Sequence, residues 1–277
     1  MKLKPGIESL DTDNVNVSHT SPLREFAILL VSAFAVLALV YVLLGLLIDR
    51  AVDWIDPATE KAVFGQLSSA LDDGTPPTNA EASLQDLVNR IQQCLDPGYQ
   101  VEVDLVAESA PNAFALPGGR MIVTQGLIDQ MESENGLAFV LAHELGHFAN
   151  RDHLRGLGRG VVLAALSSIV LGTDSGLDAV FAPASMAGQA RFSRERESDA
   201  DRVALAALQC HYQHVSGADA FFRALKTAGY GDESEPAYVH FFASHPDVDS
   251  RIASLKRLSR EAGYASGRER PLPEALQ

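Results

Sequence analysis

The sequence predicts an α+β fold that is mainly helical, with a small β-sheet, behind one transmembrane helix. A run of 23 residues, Phe26 to Ile48, carries no charged side chain. Later segments repeat apolar residues at helical spacing, and the patterns typical of strands are confined to residues 101–124. We therefore expect a short sheet inside a helical domain that a membrane anchor precedes.

The uncharged run is long enough to cross a membrane. As a helix it would be roughly 35 Å long, against a hydrocarbon core of about 30 Å. A buried core helix is disfavoured because every face of the run is apolar. A cleaved signal peptide is disfavoured by the polar leader and by the lack of a small-x-small site. We predict a polar tail at 1–24 and a single-pass anchor at 25–49 in the inner (plasma) membrane.

Basic residues near the span indicate its orientation. Lys2, Lys4 and Arg24 precede it, whereas Arg50 and Lys61 follow it among several acids. The positive-inside rule then favours, by a narrow margin, a cytoplasmic tail. The rest of the chain would be extracytoplasmic, and periplasmic in a cell with an outer membrane.

Composition argues against a nucleic-acid partner and leaves open whether the two cysteines form a disulfide. The net charge of −14 and pI of about 4.9 argue against nucleic-acid binding, which needs a basic surface. Cys94 and Cys210 have neither Cys-x-x-Cys spacing nor a place near the histidines discussed below. They predict either a disulfide in an oxidising compartment or two buried thiols.

The helical and polar patterns after the anchor divide the rest of the chain into three segments. We predict a juxtamembrane helix and linker at 50–80, a large domain at 81–263 that carries the chemical motifs, and a loose polar tail at 264–277. The apolar run 160–172 is short for a span and predicts a buried helix, or one that covers the site formed by those motifs, in preference to a re-entrant segment. Other predicted helices begin and end near 58–71, 84–91, 189–208, 218–227 and 248–261.

Three short segments predict the sheet. Residues 101–105 alternate apolar and acidic side chains, which is typical of a half-buried strand. Residues 112–116 and 121–124 flank Pro117-Gly118-Gly119, which predicts a hairpin.

His143-Glu144-Leu145-Gly146-His147 carries the strongest chemical signal. In a helix, positions i and i+4 share a face, so both imidazoles could bind one Zn²⁺. Glu144 could then act as general base on a water, the pattern of a zinc metallopeptidase. Ser133 is a plausible N-cap, and an apolar stripe precedes the motif. The alternative is a pair of histidines on a solvated helix face.

A catalytic zinc needs a third protein ligand, and a downstream helix offers acidic candidates. Spacing alone does not choose among the four acids there. Glu197 and Asp201 share a face, so one could bind zinc while the other accepts the N–H of a ligand histidine. The alternative is a solvated, salt-bridged helix face. The four acids are Glu195, Glu197, Asp199 and Asp201.

These motifs together resemble the HtpX / CAAX-prenyl-protease / Oma-type family of membrane-associated zinc endopeptidases, which have a zincin-like fold. Four ordered motifs carry the resemblance: His143 to His147, Ser193-Arg194-x-x-Glu197-x-x-Ala200-Asp201, Asn112 to Gly119, and Ser244-His245-Pro246 followed by Arg251. It implies that Glu197 is the third ligand and that Asp201 supports a ligand histidine. It also implies that His245 stabilises the oxyanion, with Arg251 orienting it or helping directly. In some relatives the late histidine instead binds the zinc and holds the enzyme inactive. The family's multi-span members carry spans that this sequence lacks.

The expected activity is hydrolysis of peptide bonds in unfolded or misfolded envelope proteins. Asn112, Ala113, Phe114 and Ala115 could pair with extended substrate as an added strand. Two alternatives remain: a chaperone-like or scaffold protein with a latent zinc site, and a processing protease with one substrate.

Overall fold

The structure, a computed structural model, describes residues 21–71, 76–95, 98, 100–171, 194–227 and 248–277. The chain divides into two compact units, Met1–Leu43 and Leu44–Gln277. The described part is mostly helical, with one three-stranded sheet, as the sequence predicts. Its helices are α1 (Pro22–Val52), α2 (Pro57–Leu71), α3 (Asn79–Gln92), α4 (Gln125–Asp129), α5 (Glu134–Ala149), α6 (Asp152–Leu171), α7 (Arg194–Tyr212), α8 (Ala220–Thr227) and α9 (Val248–Glu261), with a 3₁₀ turn at Glu274–Leu276. Its strands are β1 (Glu102–Val106), β2 (Ala113–Leu116) and β3 (Arg120–Thr124).

Helix α1 contains the predicted anchor and extends three residues beyond it at each end. Pro22 occupies the first helical position, where its missing N–H costs nothing. The helix has 31 residues and is therefore about 46 Å long. It is the one candidate membrane span in the described ranges, and none of its apolar window is buried.

The sheet has the order β1–β3–β2. The antiparallel pairing of β2 with β3 forms the predicted hairpin, and Gly118 and Gly119 take the positive φ angles that its turn requires. Strand β1 pairs parallel to β3, a relation that local sequence does not reveal. Strand β2 therefore lies at an edge of the sheet, with no other partner strand in the described part of the chain.

The core forms where α5 packs between α7 and the sheet. All but the last residue of α5 are buried. Gly146 lets the two helices approach closely, because a Cβ at that position would lie 3.1 Å from Cα of Ala200 on α7. A close approach at this point brings the histidines of α5 to the acidic first turns of α7.

Two segments differ from their prediction. Helix α6 starts at Asp152, eight residues before the apolar run, and Val161 and Leu163 are more than half exposed, so a buried helix is wrong for the described part. The predicted loose tail instead packs on α5. The N–H of Glu134 donates to the carbonyl of Arg270 (2.9 Å), and the side chain of Leu276 is buried in the core. The polar composition of the tail did not predict this docking, because one apolar side chain and a few hydrogen bonds, rather than an apolar stripe, hold the segment.

Candidate active site

Helix α5 presents His143 and His147 on one face. The hydroxyl of Ser133 accepts the N–H of Gly136 (3.2 Å), the predicted N-cap. Both histidines are buried, and their Nε2 atoms lie 3.1 Å apart. Glu144, the next residue, is 1% exposed. The helix therefore aims two ring nitrogens at one point inside the protein, which excludes the solvated-face alternative.

Helix α7 supplies a carboxylate to the same point. Glu197 is buried, with Oε2 3.4 Å from Nε2 of His143 and Oε1 3.5 Å from Nε2 of His147. Of the four acidic candidates, this one faces both histidines. Glu195 is exposed and Asp199 is half-buried beside Arg202. His143, His147 and Glu197 form a group that could hold a metal ion.

The spacing of the three side chains fits a tetrahedral metal ion. Ligand atoms held about 2.0–2.1 Å from such an ion lie roughly 3.3–3.4 Å apart. The two Nε2 atoms lie 3.1 Å apart, and each lies 3.4–3.5 Å from a different oxygen of Glu197. One ligand atom from each residue lies within 4.8 Å of the other two, close enough to share one ion after small adjustments of the side chains. Two imidazoles and one carboxylate are also the donor set of many catalytic zinc sites, which keep the fourth position for water or substrate.

Each histidine has a carboxylate behind it. Nδ1 of His143 donates to Oδ1 of Asp201 (3.1 Å), and Nδ1 of His147 donates to Oδ2 of Asp152 (2.9 Å). These bonds hold the proton on Nδ1 and leave Nε2 for a metal. Asp152 was missed by sequence reasoning. Its signal was its place five residues past His147, in the first turn of the next helix.

The carboxylates around His147 stabilise positive charge at the site. Burial lowers the pKa of the His147 imidazole, but the bonds to Asp152 and Glu197 and the charge of Glu144 outweigh burial and raise this pKa to about 9. A metal binds the neutral imidazole, so we expect metal binding to depend on pH.

Arg251 is buried beside the ligands. Its Nη1 donates to Oε2 of Glu197 (2.9 Å), its Nε donates to Asp201 (3.2 Å), and its guanidinium lies over the ring of Phe222 (4.5 Å). Burial raises the pKa of Asp201, but the charge of Arg251 and the bond from His143 outweigh burial and hold this pKa below its usual range. These contacts fix the orientation of two carboxylates. The predicted help of Arg251 with the oxyanion stays a prediction, and His245 lies outside the described residues.

Strand β2 carries the residues predicted to bind substrate. The N–H of Thr124 donates to the carbonyl of Asn112 (3.0 Å), and the N–H of Asn112 donates to the hydroxyl of Thr124 (2.8 Å), so the backbone of Asn112 faces β3. Antiparallel alternation then directs the backbone N–H and C=O groups of Ala113 and Ala115 away from β3. Ala113 is fully buried and Ala115 is 7% exposed. The side chain of Phe114 is half-buried.

The site's geometry agrees with comparisons to known proteins. The pattern of Peptidase family M48 matches residues 78–259, more than half of the chain. The chain belongs to this family. Membership of this family agrees with the buried group of His143, His147 and Glu197, which could hold a metal ion.

Similar proteins include mitochondrial metalloendopeptidases and a protease HtpX homolog. Over 173 residues the chain is 28% identical to the mitochondrial metalloendopeptidase OMA1 of Schizosaccharomyces pombe, covering 58% of this chain and 47% of that protein. It is 33% identical over 158 residues to the Arabidopsis thaliana protein of that name, covering 57% and 31%. It is 29% identical over 216 residues to the protease HtpX homolog of Salinibacter ruber, covering 67% and 78%. The chain thus spans less than half the length of the two OMA1 proteins.

Proposed function

We propose that this protein is a membrane-anchored, zinc-dependent endopeptidase that hydrolyses peptide bonds in unfolded or misfolded envelope proteins. One observation carries the proposal. His143, His147 and Glu197 are buried and each bring a ligand atom within 4.8 Å of the other two, the donor set of a catalytic Zn²⁺, and Glu144 is buried on the same helix as the histidines.

The chemistry follows from these side chains. Bound Zn²⁺ supplies a Lewis acid that polarises the scissile carbonyl and makes water acidic enough to deprotonate near pH 7. Glu144 takes the proton of the attacking water as general base and returns it to the leaving amine as general acid. Asp152 and Asp201 keep the two histidine rings in the required tautomer. Following the resemblance, we assign stabilisation of the oxyanion to His245, with Arg251 supporting it.

Strand β2 supports the choice of an extended polypeptide as substrate. The backbone groups of Ala115, which face away from β3, can pair with a substrate strand, as in other β-augmentation sites. Backbone pairing tolerates many side chains, so the enzyme would prefer chains that are already unfolded. A folded substrate offers no free strand.

The disulfide supports an extracytoplasmic active site. The structure joins Cys94 to Cys210, with Cα atoms 5.9 Å apart, which resolves the two possibilities that the sequence left open. Disulfides persist in oxidising compartments and are rare in the cytosol. Together with the basic residues before α1, this bond favours a cytoplasmic tail in the inner membrane and a catalytic unit outside the cytoplasm. Digestion of spheroplasts by added protease tests it, and a fully protected unit would overturn it.

The direct test is cleavage of an unfolded model protein by the full-length chain in detergent. Glu144→Gln should lower kcat by at least about 100-fold while zinc stays bound, because only the proton carrier is lost. Glu197→Gln should lose zinc as well, because the ligand's charge is removed. The matched control is Glu195→Gln, two residues away on the same helix and exposed, which should retain both.

The same experiment separates the alternatives. A wild-type protein that holds one zinc but cleaves nothing would favour the latent, chaperone-like reading and contradict a peptidase. Cleavage of one native partner, with model proteins untouched, would favour a dedicated processing protease.

A further inference from the structure

Glu60 is a buried charge that the proposed chemistry does not use. It lies on α2, outside the segment 78–259 that the family pattern matches, and it is 1% exposed. It accepts hydrogen bonds from Nε2 of His153 (2.8 Å), from Nη2 of Arg151 (2.8 Å) and from the backbone N–H of Gly118 (2.9 Å). Burial raises the pKa of Glu60, but His153, Gly118 and Arg151 outweigh burial and lower this pKa to about 2. The carboxylate is therefore ionised at any working pH.

Two of these donors lie on either side of a residue that supports the metal site. Arg151 and His153 flank Asp152, whose Oδ2 accepts from the metal-ligand candidate His147 (2.9 Å). Arg151 has a φ of 57°, a left-handed conformation that its neighbours must hold. Its guanidinium also donates to the carbonyl of Ile55. Glu60 thus holds the turn that presents Asp152 to His147.

The third donor, Gly118, lies beside the proposed substrate-binding part of the site, whereas Asp152 supports the metal-binding part. Gly118 lies in the turn directly after β2, the strand proposed to pair with substrate. Its φ of 92° restricts the position to glycine, and a Cβ there would lie 3.2 Å from Cβ of Phe64 on α2. Helix α2 therefore packs directly on the turn that ends β2.

We propose that Glu60 is a positioning residue for the active site, and that the juxtamembrane segment Ile55–Phe64 is a required part of the catalytic unit. One carboxylate fixes the residues around Asp152 and the end of β2 at the same time. Hydrogen bonds to a buried carboxylate fix the orientation of their three donors, which apolar packing does not do. Loss of the charge should therefore let both the turn around Asp152 and the end of β2 move. The inference rests on the proposed function, because it concerns the metal and substrate of that site.

The test compares Glu60→Gln with Lys61→Gln in the full-length protein in detergent. Gln keeps the size of the side chain and removes its charge. Lys61 is the next residue on α2, and its ammonium pairs with Glu102 at the surface (2.9 Å), so it is a matched control. Zinc affinity is measured by competition with a chelator, and kcat and KM are measured at saturating zinc. The zinc-induced rise in Tm provides a readout that does not depend on activity.

We expect Glu60→Gln to weaken zinc binding by about 10-fold or more, with a smaller zinc-induced rise in Tm and a raised KM. Lys61→Gln should match wild type in all three. A purely structural role would lower Tm equally with and without zinc and leave zinc affinity and KM unchanged, which overturns the proposal. Arg151→Lys provides a second variant if Glu60→Gln does not fold. It keeps the charge but cannot reach both Glu60 and the Ile55 carbonyl, so zinc affinity should fall, and an unchanged affinity contradicts us.

Failure of this inference is distinct from failure of the proposed function. If wild type binds zinc but cleaves nothing, the peptidase is contradicted and the zinc affinities still decide the role of Glu60. If wild type cleaves and Glu60→Gln behaves as Lys61→Gln does, only the inference is lost.

Discussion

The bond between Cys94 and Cys210 should stabilise the catalytic unit without influencing the metal site. It joins the chain just after α3 to the last turn of α7, across a sequence separation of 116 residues. Cys210 is exposed, so a reductant in solution can reach it. We predict that reduction, or replacement of both cysteines by alanine, lowers the thermal stability of the protein.

The magnitude follows from the length of the closed loop. In the chain-entropy model, a loop of this size restricts the unfolded state by about 5 kcal/mol at 25 °C, and removing native disulfides typically costs about 2–5 kcal/mol. For a unit of this size, each kcal/mol corresponds to roughly 2–4 °C in Tm. We therefore expect Tm to fall by roughly 4–20 °C.

Zinc affinity should change little in the same experiment. Cys210 lies 13 residues beyond Glu197 on α7, or about 20 Å along the helix. The assay follows thermal unfolding of the detergent-solubilised protein with and without reductant, with zinc competition in parallel. The Cys94→Ala/Cys210→Ala double variant is the control, since reductant should no longer influence its Tm.

Two results would refute this reasoning. An unchanged Tm on reduction would mean that the bond is absent or contributes nothing, and the argument for an oxidising compartment would fail with it. A lowered zinc affinity that accompanies the lowered Tm would mean that the end of α7 is coupled to its first turns, contrary to the separation of the two sites.

Three further predictions concern the site itself. Asp152→Asn should weaken zinc binding by about 10–100-fold, measured by chelator competition, because the neutral amide no longer holds the proton of His147; full affinity would exclude this role. The folded pKa of Glu60, about 2, is below its unfolded value near 4.5, so its contribution is complete above pH 4.5 and is lost as pH falls towards 2. This contribution to the free energy of unfolding is about 3 kcal/mol. The difference in unfolding free energy between wild type and Glu60→Gln should therefore shrink as pH falls through that range, and a constant difference would contradict the assignment. Ala115→Pro removes an outward N–H of β2 and should raise KM with zinc content unchanged; an unchanged KM would exclude strand pairing there.

The two histidines of the candidate metal site could be predicted from the sequence because their geometry is local. The spacing of His143 and His147 on one helix fixes their relative position before any tertiary contact is known. The third ligand was different. Helical periodicity left Glu195, Glu197, Asp199 and Asp201 open, and only the resemblance selected Glu197. The structure shows the physical reason, since the close approach at Gly146 decides which face of α7 meets α5.

Long-range polar contacts are what sequence reasoning missed. Glu60 and His153 are 93 residues apart, and neither belongs to a motif. The parallel pairing of β1 with β3 and the docking of the tail at Arg270 also depend on backbone groups that every residue carries. The pattern of side chains along the sequence does not predict which distant backbone groups pair, so these contacts could be identified only from the folded structure.

The charges around the triad explain why a divalent cation suits this site. Among the residues that the structure describes, acidic groups that bind, flank or support the two histidines outnumber the arginines that contact those acids by four to two. Each of the four is buried, where unbalanced charge is costly. The acids are Glu144, Asp152, Glu197 and Asp201, and the arginines are Arg196 and Arg251. The excess of two negative charges matches one Zn²⁺ with neutral imidazoles. Because unbalanced buried charge is costly, the site should favour a divalent cation over a monovalent one.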